Sequence, residues 1–173
     1  LWVRSADTCN LAVRLTDATG QMHQQRPEFP RDGAWHQLSI ERFDAGRHHE
    51  SWGGAADKRW HPPAQQLELV VEGRGTVWID DIVAELKPGI LPAAAERAAL
   101  RARGRRVVLA DFADARKPGF KGAIKVVQEE KNRPGTEFGR IENKNQRWVS
   151  ATLPLEAMDR DFLELALRVR SRD

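Results

Sequence analysis

The sequence is short of almost every feature that marks a chemical class at sight. Its single cysteine, Cys9, rules out an internal disulfide and fits both a cytosolic protein and an exported bacterial one. It contains no apolar run of about 18 residues, which excludes a membrane-spanning helix and leaves no membrane partner expected. No basic stretch followed by an apolar one stands at Leu1, so an export signal is expected to lie outside this segment. Charge of one sign is also scarce: 28 Lys and Arg against 25 Asp and Glu leave a formal charge of +3. Basic residues crowd only at Arg97, Arg101, Arg103, Arg105 and Arg106, so no general polyanion surface and no nucleic-acid partner are expected. Nucleophile elbow, phosphate loop and zinc-protease helix are missing, and no carboxylate pair stands out for glycoside hydrolysis. The expectation is a chain that is not an enzyme.

What is present is strand patterning. With 173 residues, 40% apolar and 31% charged, the chain has the material for one domain or two partial ones. Leu11, Val13 and Leu15 alternate with polar neighbours, as do Leu38 and Ile40, then Leu67, Leu69 and Val71, then Val77 and Ile79. Period-two alternation puts each apolar set on one sheet face. Turn residues separate the runs at Asp17-Ala18-Thr19-Gly20, Arg31-Asp32-Gly33 and Glu72-Gly73-Arg74-Gly75. Strand patterns resume over Val107–Leu109, Ala123–Val127, Arg147–Leu153 and Phe162–Val169. Between the two groups, Pro88-Gly89, Pro92 and an alanine-rich stretch closed by Gly104 predict a linker with a short helix over 87–106. Short strands at this density predict an all-β fold, an antiparallel β-sandwich.

One heptad occurs twice. Leu1-Trp2-Val3-Arg4-Ser5-Ala6-Asp7 and Leu167-Arg168-Val169-Arg170-Ser171-Arg172-Asp173 agree at five of seven positions, 166 residues apart. Self-similarity at about one domain length suggests one period of a tandem array, the alternative being a chance match. On that reading 1–86 is the C-terminal part of one unit and 107–173 the N-terminal part of the next. Neither part closes a sandwich alone, and the alternatives are two open halves or a single sandwich completed in circularly permuted order. In the single sandwich, one strand position has two claimants. Alternation places Leu1 and Val3 inward, Trp2 and Arg4 outward.

The densest constellation runs from His48 to Pro63, with Trp52, Trp60, three histidines and paired glycines on what reads as one long loop. Trp52-Gly53-Gly54 followed by Trp60-His61-Pro62 resembles jelly-roll carbohydrate-binding modules of secreted bacterial polysaccharide-degrading proteins. LAVRLTDATG from Leu11 to Gly20, Trp35-His36-Gln37-Leu38-Ser39-Ile40, and Gly75-Thr76-Val77-Trp78-Ile79-Asp80-Asp81-Ile82 are similar to strands of that group. The likeness covers Leu1 to Leu86 and is weaker beyond Val107, resting there on Leu109-Ala110-Asp111-Phe112 and the second heptad. It implies a galactose-binding-like jelly roll in an extracellular or periplasmic protein. Its role would be to bind a poly- or oligosaccharide, or to serve as a spacer beside neighbouring domains. The alternative is a structural or protein–protein interaction module that docks a neighbouring domain without binding glycan.

Sugar binding calls for flat apolar faces and planar polar groups. Trp52, Asp57, Arg59, Trp60 and His61 supply these types on the loop, and Trp2, Arg4 and Arg14 are expected near one another on an outward sheet face. In the structural alternative, Trp52 and Trp60 pin the loop to the sandwich and the second face is merely solvated. Calcium is the metal best suited to Asp80, Asp81 and Asp111, and jelly rolls of the resembled group share a structural calcium between first and last strands. The alternative is turn or edge-strand carboxylates with no ion. Zinc is not expected, since His48, His49 and His61 lack ligand spacing.

Overall fold

A computed structural model describes residues 1–40, 42–85, 106–110, 120–128 and 137–155. They form two packed antiparallel sheets. The five-stranded sheet has the order β11(Ile124–Gln128), β12(Glu137–Asn143), β7(Gly75–Asp80), β1(Trp2–Arg4), β4(His36–Gln37). The six-stranded sheet has the order β10(Lys121–Gly122), β13(Trp148–Pro154), β6(Gln66–Glu72), β2(Asn10–Thr16), β3(Met22–Gln25), β5(Glu50–Trp52). A separate ladder joins β8(Ile82–Glu85) to β9(Arg106–Ala110). The expected all-β sandwich is therefore the fold. No helix occurs among the described residues. Residues 87–105 of the expected 87–106 linker, Asp111, and the Phe162–Val169 strand with the second heptad lie outside them.

Alternation does what it promised inside each strand. Leu11, Val13, Leu15, Leu67, Leu69, Val71, Ala151 and Leu153 face inward from the six-stranded sheet. Leu1, Val3, Val77, Ile79 and Ile141 meet them from the five-stranded one. Each such aliphatic side chain contributes about 1.5–3 kcal/mol of burial free energy. Both chain portions build both sheets: β12 pairs with β7 through Gly139↔Ile79 and Ile141↔Val77, and β13 pairs with β6 through Val149↔Val71 and Ala151↔Leu69. The core is thus shared across residues 86–105.

Two expectations shift. The run Leu38–Ile40 is not a strand of its own; β4 stops at Gln37, and Leu38 and Ile40 bury their side chains from irregular backbone. The stretch read as one long loop contains β5, which pairs with β3 through Met22↔Trp52 and Gln24↔Glu50. Trp52 is therefore a strand residue at a sheet edge.

Candidate functional site

The outer face of the six-stranded sheet is built from the residues that alternate with the core set. Register places Thr152, Glu68, Arg14, Gln24 and Glu50 in one row across five strands. Arg14 stands at its centre, donating to Gln24 Oε1 at 2.6 Å and to Glu68 Oε2 at 3.0 Å. Gln24 in turn donates to Glu50 at 2.8 Å. Arg26 forms a fork with Glu72 at 3.0 and 3.1 Å and reaches Glu50 at 2.8 Å. Paired geometry of this kind holds planar groups in fixed orientation. The hydrogen bonds of Glu72, and after them those of Glu50, hold Arg26 more firmly protonated than usual despite partial burial.

Two tryptophans border this network. Trp52 is 38% exposed and Trp148 49% exposed, and they are the large hydrophobic side chains left open to solvent among the described residues. Arg14 Cζ lies 5.3 Å from the Trp52 ring centroid and 5.9 Å from that of Trp148. The two rings therefore flank one guanidinium rather than being scattered over the surface. Ala12 and Val70, paired on neighbouring strands of this sheet, are fully buried.

The expected loop site divides. Trp60 is 8% exposed, belongs to the core, and meets His23 edge-on at 5.2 Å. Its faces pack the loop onto the sandwich and leave no open ring for a sugar. Asp57 accepts the Arg59 amide at 2.9 Å and lies 3.0 Å from His61 Nε2. The Arg59 amide first, and then His61, hold its carboxyl below the usual range. The Arg59 carbonyl accepts from Gln21 Nε2 at 2.7 Å. Asp57, the Arg59 backbone and His61 thus tie the loop to itself and to the hairpin beneath it.

That hairpin carries a polar cluster that strand alternation does not announce. Asp17 and His23 are both fully buried. Asp17 accepts from the Thr19 amide and hydroxyl, the Gln21 amide and the His61 amide at 2.7–3.2 Å. His23 places Nε2 3.3 Å from Asp17 and Nδ1 3.3 Å from His49, whose ring stacks on it at 5.5 Å. Burial pushes the Asp17 carboxyl up, but the hydrogen bonds from Thr19, Gln21 and His23 outweigh it and leave its pKa lowered. Burial first, and then the neighbouring His23, push the His49 pKa down. Gly54 closes over this turn; a Cβ there would fall 2.2 Å from the Gln21 nitrogen.

The second expected surface does not exist as drawn. Trp2 and Arg4 lie on the five-stranded sheet and Arg14 on the six-stranded one, so they project from opposite sides of the sandwich. Arg4 Cζ sits 4.9, 5.0 and 5.3 Å from the rings of Trp35, Trp78 and Phe138. The reason is topological: alternation fixes the face within a strand, while the sheet a strand joins depends on distant pairing. For calcium, Asp80 Oδ1 accepts the Asp81 amide at 2.9 Å, and Asp81 has a left-handed backbone with φ of 45°. Asp111 is outside the described residues, among which no three His, Cys, Asp or Glu side chains cluster as ligands.

Trp148, Gln24, Glu50 and Glu68 are the site residues that sequence reasoning missed. The signal was present for Trp148, which precedes Val149, Ala151 and Leu153 in a strand whose inward set is apolar. No family model, curated protein or solved structure matches the chain.

Proposed function

We propose that this chain is a non-catalytic, glycan-binding accessory β-sandwich of a larger exported carbohydrate-active protein, with its ligand on the outer face of the six-stranded sheet. One observation carries the reading: Trp52 and Trp148 stay exposed on either side of Arg14, whose neighbours Gln24, Glu50 and Glu68 are held in place by hydrogen bonds. A pyranose has apolar C–H faces and a rim of hydroxyls. Indole rings cover the faces, and carboxylate and guanidinium groups, oriented by the buried Gln24 amide, meet the hydroxyls with hydrogen bonds. Because the polar groups are already bonded to one another, they lose little side-chain freedom when a ligand arrives.

The buried Asp17–His23–His49 chain supports architecture rather than catalysis. Among the described residues its hydrogen bonds run to turn amides, Gln21 and the Thr19 hydroxyl, which itself donates to Asp17. Isothermal calorimetry against a panel of polysaccharides tests the proposal. Binding heat with at least one glycan, with affinity lowered roughly thirtyfold in Trp52→Ala and Trp148→Ala variants that melt like the parent, is the expected result. No heat with any glycan overturns it.

A further inference from the structure

The first heptad is held by side chains as much as by its backbone. The β1–β7 ladder runs Trp2↔Asp80, Val3↔Ile79 and Arg4↔Trp78. Beyond Arg4, Ser5 Oγ donates to the Thr76 carbonyl at 2.8 Å and accepts the Asp7 amide at 3.1 Å. The Asp7 carboxylate accepts the Thr76 amide at 2.7 Å. Ser5 and Asp7 thereby satisfy both backbone groups of Thr76, as another strand residue would. Gly75 leaves room for them: a Cβ there would stand 2.6 Å from Asp7 Cβ. Leu1 and Val3 are fully buried in the core, and Arg4 faces the Trp35, Trp78 and Phe138 rings.

Five side chains thus fit this position: Leu1, Val3, Arg4, Ser5 and Asp7. The same five recur as Leu167, Val169, Arg170, Ser171 and Asp173. The heptads differ only where Trp2 and Ala6 are replaced by Arg168 and Arg172. Those are the undemanding positions: Ala6 is exposed, and Trp2 points to the outer face. A chance match has no reason to select the contacting residues and spare the others.

We propose that Leu167–Asp173 is a second strand for the β1 position, able to replace Leu1–Asp7 between β4 and β7 with the same register and the same Ser–Asp clasp on Thr76. This is an interaction element distinct from the glycan face, and it does not depend on the glycan reading. It gives units of this chain a means of linking by strand exchange.

The full-length chain tests it. Val3→Asp puts a carboxylate into the core position and disables the first heptad; Val169→Asp disables the second. The Val3→Asp chain is expected to stay folded, its melting point lowered by only a few degrees, because Leu167–Asp173 takes the position. The double variant is expected to melt far below either single variant while staying folded in the cold, with the β1 position empty. If Val3→Asp alone melts as low as the double variant, the proposal is overturned. A labelled peptide of residues 167–173 gives an independent readout on the double variant. It is expected to bind saturably, and at least tenfold more tightly than the same peptide carrying Ser171→Ala and Asp173→Asn. Equal binding of the two peptides, or none, contradicts the proposal.

Discussion

On the five-stranded sheet Arg4 is enclosed by Trp35, Trp78 and Phe138, and the rings around it are half-buried or buried. On the six-stranded sheet Arg14 has two tryptophan rings at similar distances, yet both remain open to solvent. The residue types are the same and the outcomes differ. Arg4 has rings on three neighbouring chain segments, so arginine and aromatics cover one another. Arg14 instead spends its donors on Gln24 and Glu68, and the tryptophans stand at the borders of a polar row. Aromatic residues beside an arginine are therefore packed into the fold on one side and left open to solvent on the other. The difference lies in the rings: those around Arg4 are half-buried or buried, and those beside Arg14 are exposed.

Substitutions should separate the two faces, and the largest effect is expected where the rings are enclosed. Trp78→Ala should cost about 3 kcal/mol of stability in chemical denaturation, from lost packing and the open contact with Arg4. It should leave glycan affinity unchanged at temperatures where the variant is folded. Next in size, Trp148→Ala or Trp52→Ala should cost about 2 kcal/mol of binding, roughly thirtyfold in affinity, while changing stability by no more than about 0.5 kcal/mol. A stability loss at Trp148 equal to that at Trp78 would erase the comparison.

Acid should act on the six-stranded sheet through His49 and the buried Asp17. The lowered His49 pKa means that the unfolded chain binds the proton more readily than the folded one, so stability is complete above the ordinary value of 6.5 and falls as pH drops below it. The lowered Asp17 pKa adds a second loss below its ordinary value of 3.8. His49 directly precedes β5, which carries Trp52, so affinity should decline with stability below pH 6.5. His49→Gln should flatten the upper limb of that profile in a pH series of thermal melts. The smallest effect is expected for Glu68→Gln, which removes the charge facing Arg14 and should change stability by about 1 kcal/mol or less.

Much of the fold could be read from the sequence, because Leu11, Val13, Leu15, Leu67, Leu69, Val77 and Ile79 report their face by alternation alone. Turn glycines mark the corners as expected: Gly73 has φ of 80° between β6 and β7. Sheet membership was not legible, and this is why Arg14 was expected beside Trp2 and Arg4. Strand β3 was missed because His23 and Gln25, its inward residues, are polar and find their partners both across the hairpin, in Asp17 and Gln21, and on later segments, in His49 and Arg42. Trp60 and Trp52 looked equivalent as neighbours in a tryptophan-rich stretch. One anchors the loop in the core, and the other ends an edge strand on the open face.

The six tryptophans, at positions 2, 35, 52, 60, 78 and 148, give one direct test of the central claim. Each contributes an indole N–H signal to a nitrogen–proton correlation spectrum, so a titration with a glycan ligand reads all of them at once. The Trp52 and Trp148 signals are expected to move together and saturably while those of Trp2, Trp35, Trp60 and Trp78 stay in place. Movement centred on Trp2, Trp35 or Trp78, or no movement with any glycan, would contradict that claim.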